Sequence, residues 1–190
     1  MDEQNLPVEW LTHRVSRPVL SDPGPSDEQL EVIFQAALRA PDHGRLRPWR
    51  FLTIAGDARV MLGELFAHSA LQEQPDLAPE AVERFKGLPL RAPVLVAVIC
   101  KLAEHPKVPE LEQYLSAGAA AQNILHATHM QGIGAMWRTG AVNYYAATAK
   151  GLGLSENEKL LGFIYLGTPS GPKKKVEVLN PQDFVSSWQG

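Results

Sequence analysis

The sequence predicts a protein of the mixed α/β or α+β class organised as a single domain over residues 1–190. Three observations carry that reading. Val94–Cys100 and Leu160–Gly167 are apolar runs of strand length, and Trp49–Ala55 is a third, opened by Pro48. Helical periodicity fills the stretches between them, so strands and helices interleave. A chain of 190 residues that is 45% hydrophobic can bury a substantial core. No run approaches the ~18–20 apolar residues that a membrane-spanning helix needs.

The elements follow in order. A first helix is expected from Leu6 to near Arg14, with Pro7 near its start, where proline is tolerated, and with Val8, Leu11 and Val15 turned inward. A Pro/Gly/Asp-rich loop runs to Pro25. Ser26-Asp27-Glu28-Gln29 is a capping box, and behind it Leu30, Ile33, Phe34, Ala37 and Leu38 recur at helical spacing. Pro41 stops that helix and Pro48 opens the first strand. A helix from Ala58 to Leu71 and a shorter one from Pro79 to Lys86 lead to Val94–Cys100, whose unbroken apolar character marks a central strand covered on both faces. Glu110 to Gln131 reads as one long helix with small residues at Ser116–Ala121. A short strand and turn at Ala135–Gly140 and a helix around Tyr144–Leu152 come next. Ser155-Glu156-Asn157-Glu158 has the form of another capping box, and Leu160–Gly167 is the last strand. The tail from Val176 carries Val178, Leu179, Phe184, Val185 and Trp188, too much apolar surface to stand in water, so it is expected to cover something.

Composition removes several functions. Net charge is −3, which argues against a global nucleic-acid binder and leaves room for a local basic patch. Cys100 is the sole cysteine, so an intrachain disulfide and a Cys-rich metal site are both excluded. The start Met1-Asp2-Glu3-Gln4-Asn5 lacks the basic and apolar regions of a secretory signal, and a cytoplasmic location is expected. There is no GxxxxGK[ST] loop and no GxSxG elbow. Gly151-Leu152-Gly153-Leu154 follows no strand and reads as a helix end. His126 and His129 lie one turn apart without an HExxH pattern, which favours a packed helical pair over a metal site.

What remains is a set of cation-and-hydroxyl pairs. Arg14-x-Ser16 offers a guanidinium fork and a hydroxyl, a pairing suited to phosphate. Arg138-Thr139 repeats the pairing after a strand. The loop Ala40–Phe51 places His43, Arg45 and Arg47 between two prolines, with Arg39 and Arg50 flanking it. Unpaired cations at that density face solvent or meet an anion. One reading is a mononucleotide site; the other is a phosphate- or nucleic-acid-binding module using Arg39–Arg50 and Lys173–Lys175, a run that otherwise reads as a solvated loop.

Four stretches together carry a resemblance: Arg14-x-Ser16, Ala40-Pro-Asp-His-Gly-Arg-Leu-Arg-Pro-Trp-Arg-Phe51, Gln131-Gly-Ile-Gly-Ala-Met-Trp-Arg-Thr-Gly140 and Gly162-Phe-Ile-Tyr-Leu-Gly-Thr-Pro169. In order and spacing they resemble the FMN-dependent nitroreductase family, in particular its small single-domain NAD(P)H nitroreductase branch. The resemblance implies an α+β fold with a central mixed sheet flanked by helices. It further implies an intertwined homodimer whose C-terminal tails reach over the partner, with FMN at each of two interface sites. It assigns Arg14, Val15, Ser16, Trp137, Arg138 and Thr139 to FMN from one subunit, and Arg39 and His43 to the same FMN from the other. Ala127, Thr128, His129, Met130, Gln131 and Gly132 would form the NAD(P)H segment. The implied activity is ping-pong hydride transfer from NADH or NADPH through FMN to a nitroaromatic, quinone or similar acceptor; a catalytically weak flavin-binding protein is the alternative within the same family. No side chain is singled out as catalytic, and no metal is expected. Arg45 and Arg47 stand where many members carry Asn and Gln, and Val15 replaces a common second arginine.

Overall fold

In the computed structural model, which describes residues 8–190, the elements are α1 (Glu9–Thr12), β1 (Leu20–Ser21), α2 (Asp27–Ala37), β2 (Trp49–Ala55), α3 (Ala58–Glu73), α4 (Pro79–Gly87), β3 (Val94–Lys101), α5 (Glu110–Met130), β4 (Gly134–Arg138), α6 (Ala146–Gly151) and β5 (Glu158–Pro169). Single 3₁₀ turns at His43–Arg45, Leu88–Arg91, Ala141–Asn143 and Pro181–Asp183 join them.

The sheet order is β1-β5-β3-β2, with β4 also paired to β5. Because β3 and β4 both pair with the stretch Phe163–Leu166, they must lie on opposite edges of β5. Every described pair is antiparallel, so the expected mixed sheet is corrected. The helices mark the course of the chain between these strands. Two of them, α3 and α4, lie between β2 and β3 and carry the chain out and back, so Val94 starts opposite Ala55, where β2 ended. A single long helix, α5, separates β3 from β4, which leaves those two strands running the same way; β5 then fits between them with opposite direction.

β3 is covered on both faces, as its composition predicts. Val94, Val96 and Val98 join one core with Ile33 and Ala37 of α2 and Ala120, Ala121 and Ile124 of α5. Leu95 and Ala97 face the other core, with Leu62 and Phe66 of α3 and Phe163 of β5. The small side chains of α5 therefore serve close packing on the sheet. The capping box of α2 is formed in full: the Gln29 N–H donates to Ser26 Oγ, and the Ser26 N–H donates to Gln29 Oε1 at 2.9 Å.

Three expectations are corrected here. α1 is a single turn, and its Val8 and Leu11 are exposed rather than inward, while Leu6 and Pro7 lie outside the described residues. Leu38, one residue past α2, is also exposed. Ser155–Glu158 caps no helix: the Ser155 N–H donates to Glu158 Oε2 and the Glu158 N–H to Ser155 O, which closes a turn that opens β5. Along the tail, Val178 and Trp188 are each 92% exposed.

Candidate cofactor site

The Arg14–Pro18 segment has no regular structure of its own and is held by its neighbours. The Arg17 N–H donates to Ala135 O at 2.9 Å, which lays the segment along β4. The Arg17 Nη2 donates to Gly171 O at 2.8 Å, and Arg138 Nη2 donates to Pro18 O at 3.2 Å. So anchored, Arg14 and Val15 line a cavity of about 260 Å³ together with Trp10, Arg17, Thr128, His129, Gly132 and Lys173. No carboxylate is among its described lining residues. The partial charge at the α5 carboxyl end, roughly half an electron, is outweighed by three full positive charges from Arg14, Arg17 and Lys173. His129 and, one turn before it, His126 are biased toward the neutral form. Burial, then Lys173 and Arg14, hold His129 below its ordinary pKa; burial and Arg14 do the same for His126, whose Nε2 accepts from Gln122 Nε2.

The segment expected to serve the nicotinamide thus shares a wall with the segment expected to serve FMN. Within it Ala127 and Thr128 are buried, and the Thr128 hydroxyl donates to Leu125 O. His129, Met130, Gln131 and Gly132 retain exposure. Lys173 was missed in the sequence because a lysine run reads as solvated; only the turn at Ser170–Pro172, held by Arg17, brings it back to Arg14.

β4 delivers its residues to two faces. Trp137 packs on the α2–α5 core and its Nε1 donates to Leu161 O at 3.2 Å. Arg138 points the other way, with its guanidinium 5.4 Å from the centre of the Tyr165 ring. Its Nε is buried and has no partner among the described residues. Gly162 makes this approach possible: a Cβ there would stand 2.6 Å from Trp137 Nε1 and 2.7 Å from Arg138 O. Ser16 is half-buried and Thr139 is exposed at the strand end.

Arg39 and His43 are elsewhere. The His43 ring pairs with the Glu112 carboxylate in the first turn of α5, whereas His129, beside Arg14, is in its last turn. From 112 to 129 is 17 residues, or about 25 Å at 1.5 Å per residue. One chain therefore does not bring His43 to the Arg14 cavity. Arg39 is exposed and forms no ion pair among the described residues. Arg50 leaves the basic loop altogether: its Nε and Nη2 donate to the two Glu158 oxygens at 2.7 Å each. That pairing weakens the nucleic-acid reading of the loop. Cys100 is fully buried, and burial raises its thiol pKa to about 11, so it is a core residue and not a nucleophile. No helix among the described residues is long and apolar enough to cross a membrane.

Fold and cavity together define an α+β protein with a cationic pocket, free of acids among its described lining residues, beside an antiparallel sheet. The family model for the nitroreductase family matches residues 11–168, and the chain belongs to that family. It is 36% identical over 180 residues to the Escherichia coli K12 protein named "Putative NAD(P)H nitroreductase YdjA", covering 94% of this chain and 97% of that one. A Haemophilus influenzae protein named "Putative NAD(P)H nitroreductase" is 33% identical over 178 residues, 93% of this chain and 96% of its own. Among solved structures, a nitroreductase-like family protein from Bacillus cereus superposes with a TM-score of 0.83 at 21% identity, covering 100% of both chains. A Desulfovibrio desulfuricans protein solved in complex with FMN gives 0.75 at 24% identity, over 98% of this chain and 99% of that one. The fold is that of the nitroreductases, and the chain is an oxidoreductase of that family.

Proposed function

We propose that the protein is an FMN-dependent NAD(P)H oxidoreductase that works as a homodimer by a ping-pong cycle. The observation that carries this is the cavity lined by Arg14, Arg17 and Lys173, with no carboxylate among its described lining residues. At about 260 Å³ it lies below the range that holds a whole drug-sized ligand, so it takes the phosphate end of the cofactor and leaves the ring outside. Bound FMN would supply the redox chemistry, accepting hydride from NADH or NADPH and passing it to a nitroaromatic, quinone or similar acceptor.

The chain's own residues position and shield. Arg14 and Lys173 grip the phosphate, and Ser16 adds a hydroxyl from the same segment. Trp137 and Thr139 flank the cofactor at the end of β4. Arg39 and His43 reach it from the second chain, which the separation along α5 favours. His129, Met130, Gln131 and Gly132, the exposed part of the Ala127–Gly132 segment, meet the nicotinamide nucleotide. The test is flavin titration. Charge-assisted bonds to phosphate contribute about 1.5–3 kcal/mol each, so Arg14→Ala is expected to weaken FMN binding at least tenfold while leaving circular dichroism unchanged. Undiminished flavin affinity in that variant, or a wild-type protein that binds no flavin, would remove the site.

A further inference from the structure

Among the described residues, one acid is paired with a side chain proposed for the cofactor: Glu112, in the first turn of α5, holds the His43 ring across 69 positions of sequence. Both ends of that pair are fixed by their surroundings. On the α5 side, Gln113 is buried and clamps Ala103, accepting its N–H at 2.9 Å and donating to its carbonyl at 2.8 Å. On the loop side, Gly44 seats the turn on Val108, where a Cβ would stand 3.1 Å from Val108 Cγ2. The Arg47 N–H donates to Asp42 Oδ2 at 2.7 Å and closes the loop around His43. Within it Gly44, Arg45 and Arg47 take φ of 72°, 56° and 50°. Backbone strain of this kind persists where the surroundings over-determine it, and it clusters at functional sites.

The atom that Glu112 meets decides what the ring can offer. It is Nδ1. An ionised carboxylate only accepts, so Nδ1 carries hydrogen, and Nε2 is the nitrogen left for another partner. The His43 side chain is 58% exposed, which leaves the ring within reach of a second chain. Without the carboxylate, the side chain would spread over about three staggered χ1 wells, and the hydrogen of the neutral ring over either nitrogen. Only a fraction of chains would then present Nε2 correctly, and a ligand that binds that fraction is held more weakly in proportion.

We propose that Glu112 is a positioning residue of the flavin site, holding the His43 ring with hydrogen on Nδ1 and Nε2 presented to the cofactor of the second chain. This role rests on the cross-chain placement of His43 proposed above.

Two measurements test it. The first reads the ring itself, by NMR of the protein as purified, isotopically labelled on the ring nitrogens of histidine, with His43→Gln identifying the signal by its loss. Nδ1 should be protonated in the wild type and in Glu112→Gln, whose amide oxygen still accepts, and should lose that protonation in part in Glu112→Ala. A bare Nδ1 in the wild type would overturn the role, and that spectrum decides even if a variant fails to fold. The second is FMN titration. Glu112→Ala should weaken FMN about three- to sixfold, the rotamer and tautomer fractions combined. Glu112→Gln should return affinity to within about twofold of wild type, and Glu112→Ala should cost nothing further in a His43→Ala background. An equal loss with and without His43 would make Glu112 a general support of the fold and overturn the role. Undiminished affinity in Glu112→Ala beside a weakened His43→Ala overturns this role alone. If His43→Ala itself binds FMN as tightly as the wild type while Arg14→Ala does not, the cross-chain placement of His43 falls and takes this role with it.

Discussion

Arg45 and Arg47 hold backbone conformations that arginine seldom adopts, with φ of 56° and 50°, directly after Gly44 at 72°. The left-handed region costs an L-residue with a bulky side chain roughly 1–2 kcal/mol. The loop sustains the strain because its frame is tied down: the Arg47 N–H donates to Asp42 Oδ2 at 2.7 Å, and His43 is paired to Glu112. Asn or Gly would fit both positions better, so the guanidiniums are kept at a cost in stability. Replacing them, as Arg45→Gly or Arg47→Asn, should raise the midpoint of thermal unfolding by about 2–4 °C each, the shift that about 1 kcal/mol produces in a chain of this size. A lower midpoint for either variant would show that the side chain, not the strain, governs stability there.

The elements show what the sequence makes legible and where it falls short. Trp49–Ala55 agrees end for end with its expectation, and α5 comes within one residue, because a proline, an apolar run or a glycine marks each boundary. β1 was not foreseen: two residues, Leu20 and Ser21, carry no periodicity and become a strand only by pairing with Thr168 and Pro169. Strand direction was misread for a similar reason, since it depends on which strands become neighbours in space, and sequence order does not show that. The two capping-box patterns are the clearest contrast. At Ser26 an amphipathic helix follows; at Ser155 the apolar run of β5 follows, and Glu158 is captured by Arg50 from β2. The Arg14 motif was readable, but Lys173 joins its cavity only through a tertiary turn.

That captured pair gives an element-scale prediction. The Arg50 guanidinium holds the Glu158 carboxyl below the usual glutamate pKa. A depressed folded pKa means that the stabilisation is present above the unfolded value and is lost as pH falls through the folded one. Acidification should therefore loosen the β2–β5 connection, and Glu158→Gln should flatten that acid-side decline. Because Arg50 is a third exposed, the loss at neutral pH should be modest, about 1 kcal/mol. An unchanged acid limb in urea unfolding of Glu158→Gln would assign the decline to other carboxylates.

For the molecule as a whole, the conspicuous fact is apolar surface left uncovered. Leu111 and Leu115 on one side of α5 are 67% and 63% exposed, and Phe184, Val185 and Trp188 extend the bare surface along the tail. Isolated exposed leucines are ordinary, but a stripe on the longest helix and an apolar tail together call for a cover. The proposed dimer supplies it. Removing residues 176–190 leaves Lys173 in its cavity, so the deletion tests assembly without touching the phosphate grip. Sedimentation should show monomer or aggregate; a stable dimer with undiminished flavin would take the tail out of the interface.

The distance along α5 between His43 and Arg14 reaches further than geometry. A cofactor whose contacts are split between two chains binds to an encounter, not to a molecule, so its apparent affinity depends on how much protein is present. Dilution should bleach the preparation as subunits part, and by reciprocity added FMN should hold the subunits together at concentrations where the apoprotein separates. Flavin release that follows the same dilution curve as dissociation is the expected signature; release independent of protein concentration would place the whole site within one chain.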